Sequence, residues 1–513
     1  MFLKRFDGSL ARRTGKRAAL MFMLAAAAFV LCGCSAQLEE REMTDVSQIP
    51  IFASCPAPAE DAFAERRERV MLYFLSENRD SLIPVPREID VPGGVSLARA
   101  ALEALLAGPR EGEQGDWPDV GLPIVARSLE LSGGVAIVDL PARIRTLSQE
   151  TLFGMRMAIA NTLTELPGID AVNMLIGGRE EGFDLGATLP VGTLVRAADL
   201  DVGAAYDRLD ALRQSGGALT QLTTVFLPTE DGRYVLPQVR SVDYAQATPI
   251  EYLYTLLEEL GVETSGGQGV AAIPAPMLFI NEMPEIVRTE DGAYRALEIR
   301  FEAALDEALA SAGVTRGVYM AMLTHTLMGV VPGVEGLKVH IGEEVLTSLK
   351  AEEMPDGQAI VFSQVLATRE DFSSLIGAPV TVYAIDEATG GLTAEQRVLS
   401  HERSANPRAL LETLLAMWGD RREMARLGAE DILAVSVNGE DFAVNLSSDF
   451  ADALLEMEET TARAAVYAIV NTLTESRKRG TVTFFFDGAQ LEQTLGGVEM
   501  RGSFARNPGM VVD

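Results

Sequence analysis

Short alternating apolar runs give way along this chain to apolar residues at helical spacing, and the order then recurs. Val70-Met71-Leu72-Tyr73-Phe74-Leu75 predicts a strand. A turn and a second extended piece follow, ending near Arg87. Leu102, Leu105 and Leu106 then fall on one face of a helix, which Gly108-Pro109 stops. Residues 128–131 and 135–140 flank the turn Ser132-Gly133-Gly134 and predict a hairpin. Leu152, Met155, Ile159 and Leu163 predict a second helix, and residues 172–176 a last strand.

The same order returns at an offset of 310 residues. Asn161-Thr162-Leu163-Thr164-Glu165 recurs as Asn471-Thr472-Leu473-Thr474-Glu475, Val70 and Tyr73 as Val380 and Tyr383, Arg87 as Arg397 and Val172 as Val482. The helices are carried by Leu410, Leu411, Leu414 and Leu415, then by Val466, Ile469, Val470 and Leu473, and Asn438-Gly439 signals the hairpin. Between them lies a diverged third copy, in which Val225-Phe226-Leu227 stands for the opening strand and Arg240 for Arg87. There Leu256-Leu257 replace Leu105-Leu106, Thr326-Leu327 replace Thr162-Leu163, and His325 takes the place of Asn161. A fixed period of this kind marks an array of like units. The expected domains are 67–205, 216–370 and 377–505. Each is expected to be α+β, a small mixed sheet with two helices on one face.

The first 33 residues read as an export signal. Lys4, Arg5, Arg12, Arg13, Lys16 and Arg17 precede an apolar run over 18–31, too short to span a bilayer comfortably. Leu31-Cys32-Gly33-Cys34 resembles a bacterial lipobox, with Cys32 where Ala, Ser or Thr is usual. The resemblance implies cleavage before Cys34 and a lipid anchor on its thiol, placing the rest of the chain on the extracytoplasmic face of the cell membrane. The alternative is an uncleaved signal anchor. Residues 34–66, acidic and carrying Pro50, Pro56 and Pro58, read as a tether, with Cys55 the remaining thiol.

Composition narrows the classes. The 513 residues are 48% apolar, enough for sizeable cores. Net charge is −31 and moves to −36 without residues 1–33, which carry six bases and one acid. Such acidity argues against nucleic acid and favours basic protein partners. Three cysteines exclude a disulfide-stapled scaffold.

Several features resemble the GerMN domain family, named for a spore-germination protein. They are Leu-Leu-Ala-Gly-Pro from Leu105 to Pro109, Leu122-Pro123, Val138-Asp139-Leu140, and above all the run from Ala160 through Pro167-Gly168-Ile169 to Val172. The third copy departs after Glu475, where Ser476-Arg477-Lys478-Arg479 replaces Leu-Pro-Gly; the middle copy keeps Pro332-Gly333 and loses the Asn. The resemblance implies a fold similar to ring-building modules of secretion and sporulation complexes. It also implies an envelope setting in sporulation or germination, and no catalytic activity.

Asn161, Thr162, Glu165, Asn471, Thr472 and Glu475 are therefore expected to be structural, with a binding-site amide as the sharper alternative. Arg87, Arg240 and Arg397 are expected in ion pairs rather than in a partner site. Trp117 and Trp418 are expected at core edges, with sugar stacking as the alternative. His325, His340 and His401 are scattered, no His-Glu-x-x-His occurs, and Gly266-Gly267-Gln268-Gly269 lacks the lysine of a phosphate loop. The sequence thus predicts no catalytic residue, metal or cofactor. The expected role is a lipid-anchored envelope scaffold that binds envelope proteins. Peptidoglycan binding is the alternative, and a wall hydrolase the third class.

Overall fold

Strands Arg66–Leu75 and Leu82–Val91 pair antiparallel into a ribbon that sets Val70 opposite Arg87. This is a computed structural model describing residue 57 and most of residues 62–512. Residues 1–56, 58–61, 181–191, 216–217, 247–248, 262–272, 290–291, 293, 329–333, 387, 419–426, 478, 493, 496 and 513 lie outside the described residues. With them go the export segment, Cys32, Cys34, Cys55, most of the tether, the Gly266–Gly269 loop and Pro332-Gly333. Equivalent ribbons are Leu219–Pro228 with Val235–Tyr244, and Gly377–Ile385 with Leu392–Ser400.

A helix follows each ribbon: Leu97–Leu106, Pro249–Glu259 and Pro407–Trp418. The first begins where Ser96 accepts the Arg99 N–H, and buries Leu102 and Leu105. A second helix follows in each: Gln149–Thr164, Arg316–Leu327 and Glu459–Thr474. Residues 151–163 are buried all round, because the first of these helices packs on the ribbon on one side and on strand Ala171–Ile176 on the other.

Beneath lies a sheet of constant topology. Ser128–Ser132 pairs antiparallel with Val135–Leu140, which runs parallel to Ala171–Ile176. Ile280–Arg288, Arg295–Phe301 and Gly336–Ile341 repeat this, as do Ile432–Asn438, Asp441–Leu446 and Thr481–Phe486. The α+β class holds, with one difference from the expected layering. The opening strands stay out of the mixed sheet and cover the helices from the far side as a separate ribbon.

Three apolar clusters result, one per segment. Strand Val135–Leu140 is buried on both faces: Ala136, Val138 and Leu140 belong to the first cluster, while Val135 and Ile137 belong to the second. Other seams are polar. Ser132 Oγ donates to the Gly377 carbonyl, and His401 Nδ1 lies 3.3 Å from the Leu131 amide and carbonyl. Ala62–Phe63 pairs in parallel with Ser436 and Val437, so the stretch preceding the first ribbon covers the sheet edge of the third segment. The sequence boundary at 205 falls inside helix Val202–Ser215, whose Tyr206 and Leu209 pack on the first core. Among the described residues no helix is long and apolar enough to cross a membrane.

Candidate functional site

A two-stranded ribbon leaves half its amides facing away from its partner strand, and a buried one needs an acceptor. A threonine on the central helix supplies it in every segment. Thr162 Oγ1 accepts the Tyr73 N–H at 3.0 Å, Thr326 Oγ1 that of Phe226 at 3.0 Å, and Thr472 Oγ1 that of Tyr383 at 3.1 Å.

A second constellation appears in the first and third segments. The Tyr73 hydroxyl donates to Glu165 at 2.6 Å, and Arg196 reaches both Glu165 and the Tyr73 oxygen. Tyr383 donates to Glu475 at 2.7 Å, and Arg506 reaches both. Burial first, then the carboxylate, raises both phenols; Tyr383 is pushed up to about 12. In sequence, the middle segment has Phe226 in place of the tyrosine and Gly329 in place of the glutamate. Sequence reasoning missed Arg196 and Arg506, although they obey the same offset of 310.

Asn161 and Asn471 are both fully buried. Asn161 Nδ2 donates to the Met157 carbonyl at 2.9 Å. Asn471 clamps Asn507 through both backbone groups, at 3.0 and 2.9 Å. His325 stacks on Phe226 and sets Nε2 3.3 Å from the Phe372 carbonyl; burial holds its imidazole down at about 3, so it stays neutral. His340 is paired with Glu298 at 2.5 Å. Among the described residues no cluster of three or more His, Cys, Asp or Glu side chains is placed to hold a metal.

The repeated arginines diverge. Arg87 is buried, pairs with Glu113, and donates to the Ala104 and Gly108 carbonyls at 2.9 and 3.1 Å, closing the C-terminal end of its helix. Its hydrogen bond holds the Glu113 carboxyl below the usual range. Arg240 does likewise with the Glu259 carbonyl at 2.7 Å and carboxylate at 3.3 Å. Arg397 keeps the same ribbon register, opposite Val380, yet is half exposed and pairs with its neighbours Glu395 and Gln396.

Two clefts remain. One, of about 370 Å³, lies in the seam between the first two segments. Glu130 and Asp139 line it on the sheet face opposite the helices. Burial, with Arg369 opposing and Asp139 adding, pushes the Glu130 carboxyl up to about 7. Ion pairs cross this seam from Arg127 to Glu370 at 4.0 Å and from Arg179 to Glu335 at 3.9 Å. The second, an open groove of about 820 Å³, runs beside Trp117 in the first segment. Trp418, by contrast, is fully buried beside Phe450.

Fold and frames define a tandem α+β protein whose repeated polar motif ties ribbon to helix. Residues 71–182 and 381–492 each match the model of the Germane family, described as sporulation and spore germination, so these two segments are GerM-like. Among solved structures it is similar to the tandem GerMN domains of the sporulation protein GerM from Bacillus subtilis, at 17% identity over 59% of this chain and 99% of that one, with a TM-score of 0.22. The first GerMN domain of the same protein is 23% identical over 26% of this chain and 97% of its own, with a TM-score of 0.19. No curated protein matches the chain.

Proposed function

We propose that this chain is a non-catalytic scaffold or assembly protein of the cell envelope, held on the extracytoplasmic face of the membrane by a lipid at Cys34 and acting in sporulation or germination. The middle segment is a third, diverged module of the same kind; its sheet topology and its Thr326 hydrogen bond support that assignment. The observation that carries the reading is the fate of the repeated polar residues. Thr162, Glu165, Thr472 and Glu475 are bound to ribbon residues within the fold. The repeated chemistry therefore builds modules and leaves recognition to their surfaces. With a net charge of −31, basic envelope proteins are the fitting partners.

The test is crosslinking of the full-length protein in its native envelope, beside cosedimentation with insoluble peptidoglycan. Discrete protein adducts without glycan binding or release of fragments are expected. Saturable glycan binding in the absence of protein adducts would replace the scaffold reading with a wall-binding one, and released fragments would make the protein a hydrolase.

A further inference from the structure

We propose that the groove beside Trp117 docks an extended segment of a partner protein, rich in lysine and proline. The inference deepens the scaffold reading and rests on it for the partner being a protein. The groove lies between the C-terminal end of helix Leu97–Leu106 and the loop 116–125. Its wall is apolar: Trp117 stands with Pro109 and Pro123, and Leu122 and Val125 are 63% and 55% exposed. Two exposed aliphatic side chains lining one groove with an indole and two prolines form an apolar surface of the kind partners use. The charged groups lining the groove are all carboxylates, Glu103, Asp116 and Asp119. Glu103 and Asp116 are paired with Arg99 and Arg79, whereas Asp119 accepts the Gly121 N–H.

An aromatic and proline wall suits a polyproline-type strand, whose backbone is already extended and loses little entropy on docking. Asp119, held by the Gly121 N–H rather than by an arginine, and the acidity of the chain as a whole favour lysine between the prolines and attract it from a distance. The wall is held in place from behind. Trp117 packs edge-on against Phe74 at 6.1 Å, and Arg143 donates to the Pro123 carbonyl. Gly108 has a φ of +82°, and a Cβ there would sit 3.3 Å from the Trp117 Cβ, so the helix end and the indole pack closely. The Trp117 Nε1 is shielded from water and meets no acceptor among the described residues. Trp418 of the third segment is 1% exposed and lines no such wall.

The experiment titrates the full-length protein in detergent with the synthetic peptide Lys-Pro-Leu-Pro-Lys-Pro-Leu-Pro-Lys. Calorimetry and tryptophan emission are followed together. A peptide of equal charge with Ser and Gly for Pro and Leu is the control. Saturable binding of the first peptide alone is expected, with an emission change. Leu122→Ser with Val125→Ser, both at exposed sites, should weaken it about tenfold, and Glu103→Gln with Asp119→Asn should weaken it and flatten its salt dependence. Circular dichroism verifies that these variants stay folded. Equal binding of both peptides, or binding unmoved by Leu122→Ser with Val125→Ser, would reduce the effect to diffuse attraction and overturn the proposal. An emission change on soluble glycan strands with none on the peptide would assign the groove to sugar instead. No peptide binding, with crosslinked partners recovered at other surfaces, would remove the groove and leave the scaffold standing.

Discussion

The Tyr73 hydroxyl meets Glu165 at 2.6 Å, joining the ribbon to the end of the central helix. Tyr383 and Glu475 make the same bond at 2.7 Å, and an arginine closes each pair. The middle segment has no hydroxyl at Phe226 and keeps the threonine bond. The threonine bond is therefore the common device of the array, and the Tyr–Glu–Arg frame an addition to its two outer modules.

Tyr73→Phe and Tyr383→Phe should each lower stability by about 1 kcal/mol, the net worth of one hydrogen bond to a charged group that remains partly solvated. Calorimetric melts of the full chain report it. A loss near zero for both would make the frames decorative.

Thr162→Val, Thr326→Val and Thr472→Val should each cost about 1–3 kcal/mol, because each strands a buried ribbon N–H. Hydrogen exchange at the amides of Tyr73, Phe226 and Tyr383 should quicken in the matching variant, and serine should restore protection. Uniform exchange in all variants would show that another acceptor takes over.

Arg87→Ala and Arg397→Ala share a register and should differ sharply. The first leaves Glu113 and two helix-end carbonyls without their donor and should cost about 3 kcal/mol or more. The second removes an exposed side chain and should stay within about 0.5 kcal/mol. Denaturant melts compare them, and equal losses would contradict the environments described.

Glu130 gives the protein a pH-dependent term of definite sign. Its carboxyl sits at about 7 in the folded chain against an ordinary value of 4.5. Between those values the native state keeps a proton the unfolded chain has released, so stability falls as pH rises through the window and levels off above it. Asp139 and Glu370 face it alongside Arg127, Arg179 and Arg369. Glu130→Gln should stabilise the protein by about 1–3 kcal/mol near pH 8 and leave it unchanged near pH 4. Urea melts across the range that ran parallel for both proteins would exclude this assignment.

Cys34→Ala should release the protein from the membrane fraction or block its processing. Unchanged fractionation and unchanged size would dismiss the lipid anchor.

Much of the fold was legible because it is repetitive. The offset between Asn161–Glu165 and Asn471–Glu475 exposed the helix that each module is built around. Arg196 and Arg506 escaped notice because the residues after them differ, Ala-Ala-Asp against Asn-Pro-Gly, even though their partners are the same. Arg87 and Arg397 looked equivalent on the same grounds, yet one is sequestered and the other half exposed.

Apolar spacing by itself determined the order of strands and helices, since periods of two and 3.6 follow from local backbone geometry. The exposure of Arg397, the carboxyl of Glu130 inside a seam, and the outer face of strand Val135–Leu140 turned into the neighbouring core were decided by tertiary structure alone. Those properties depend on which surfaces meet across hundreds of residues, and burial, not local sequence, sets the energy of a charge or a methyl group once they do.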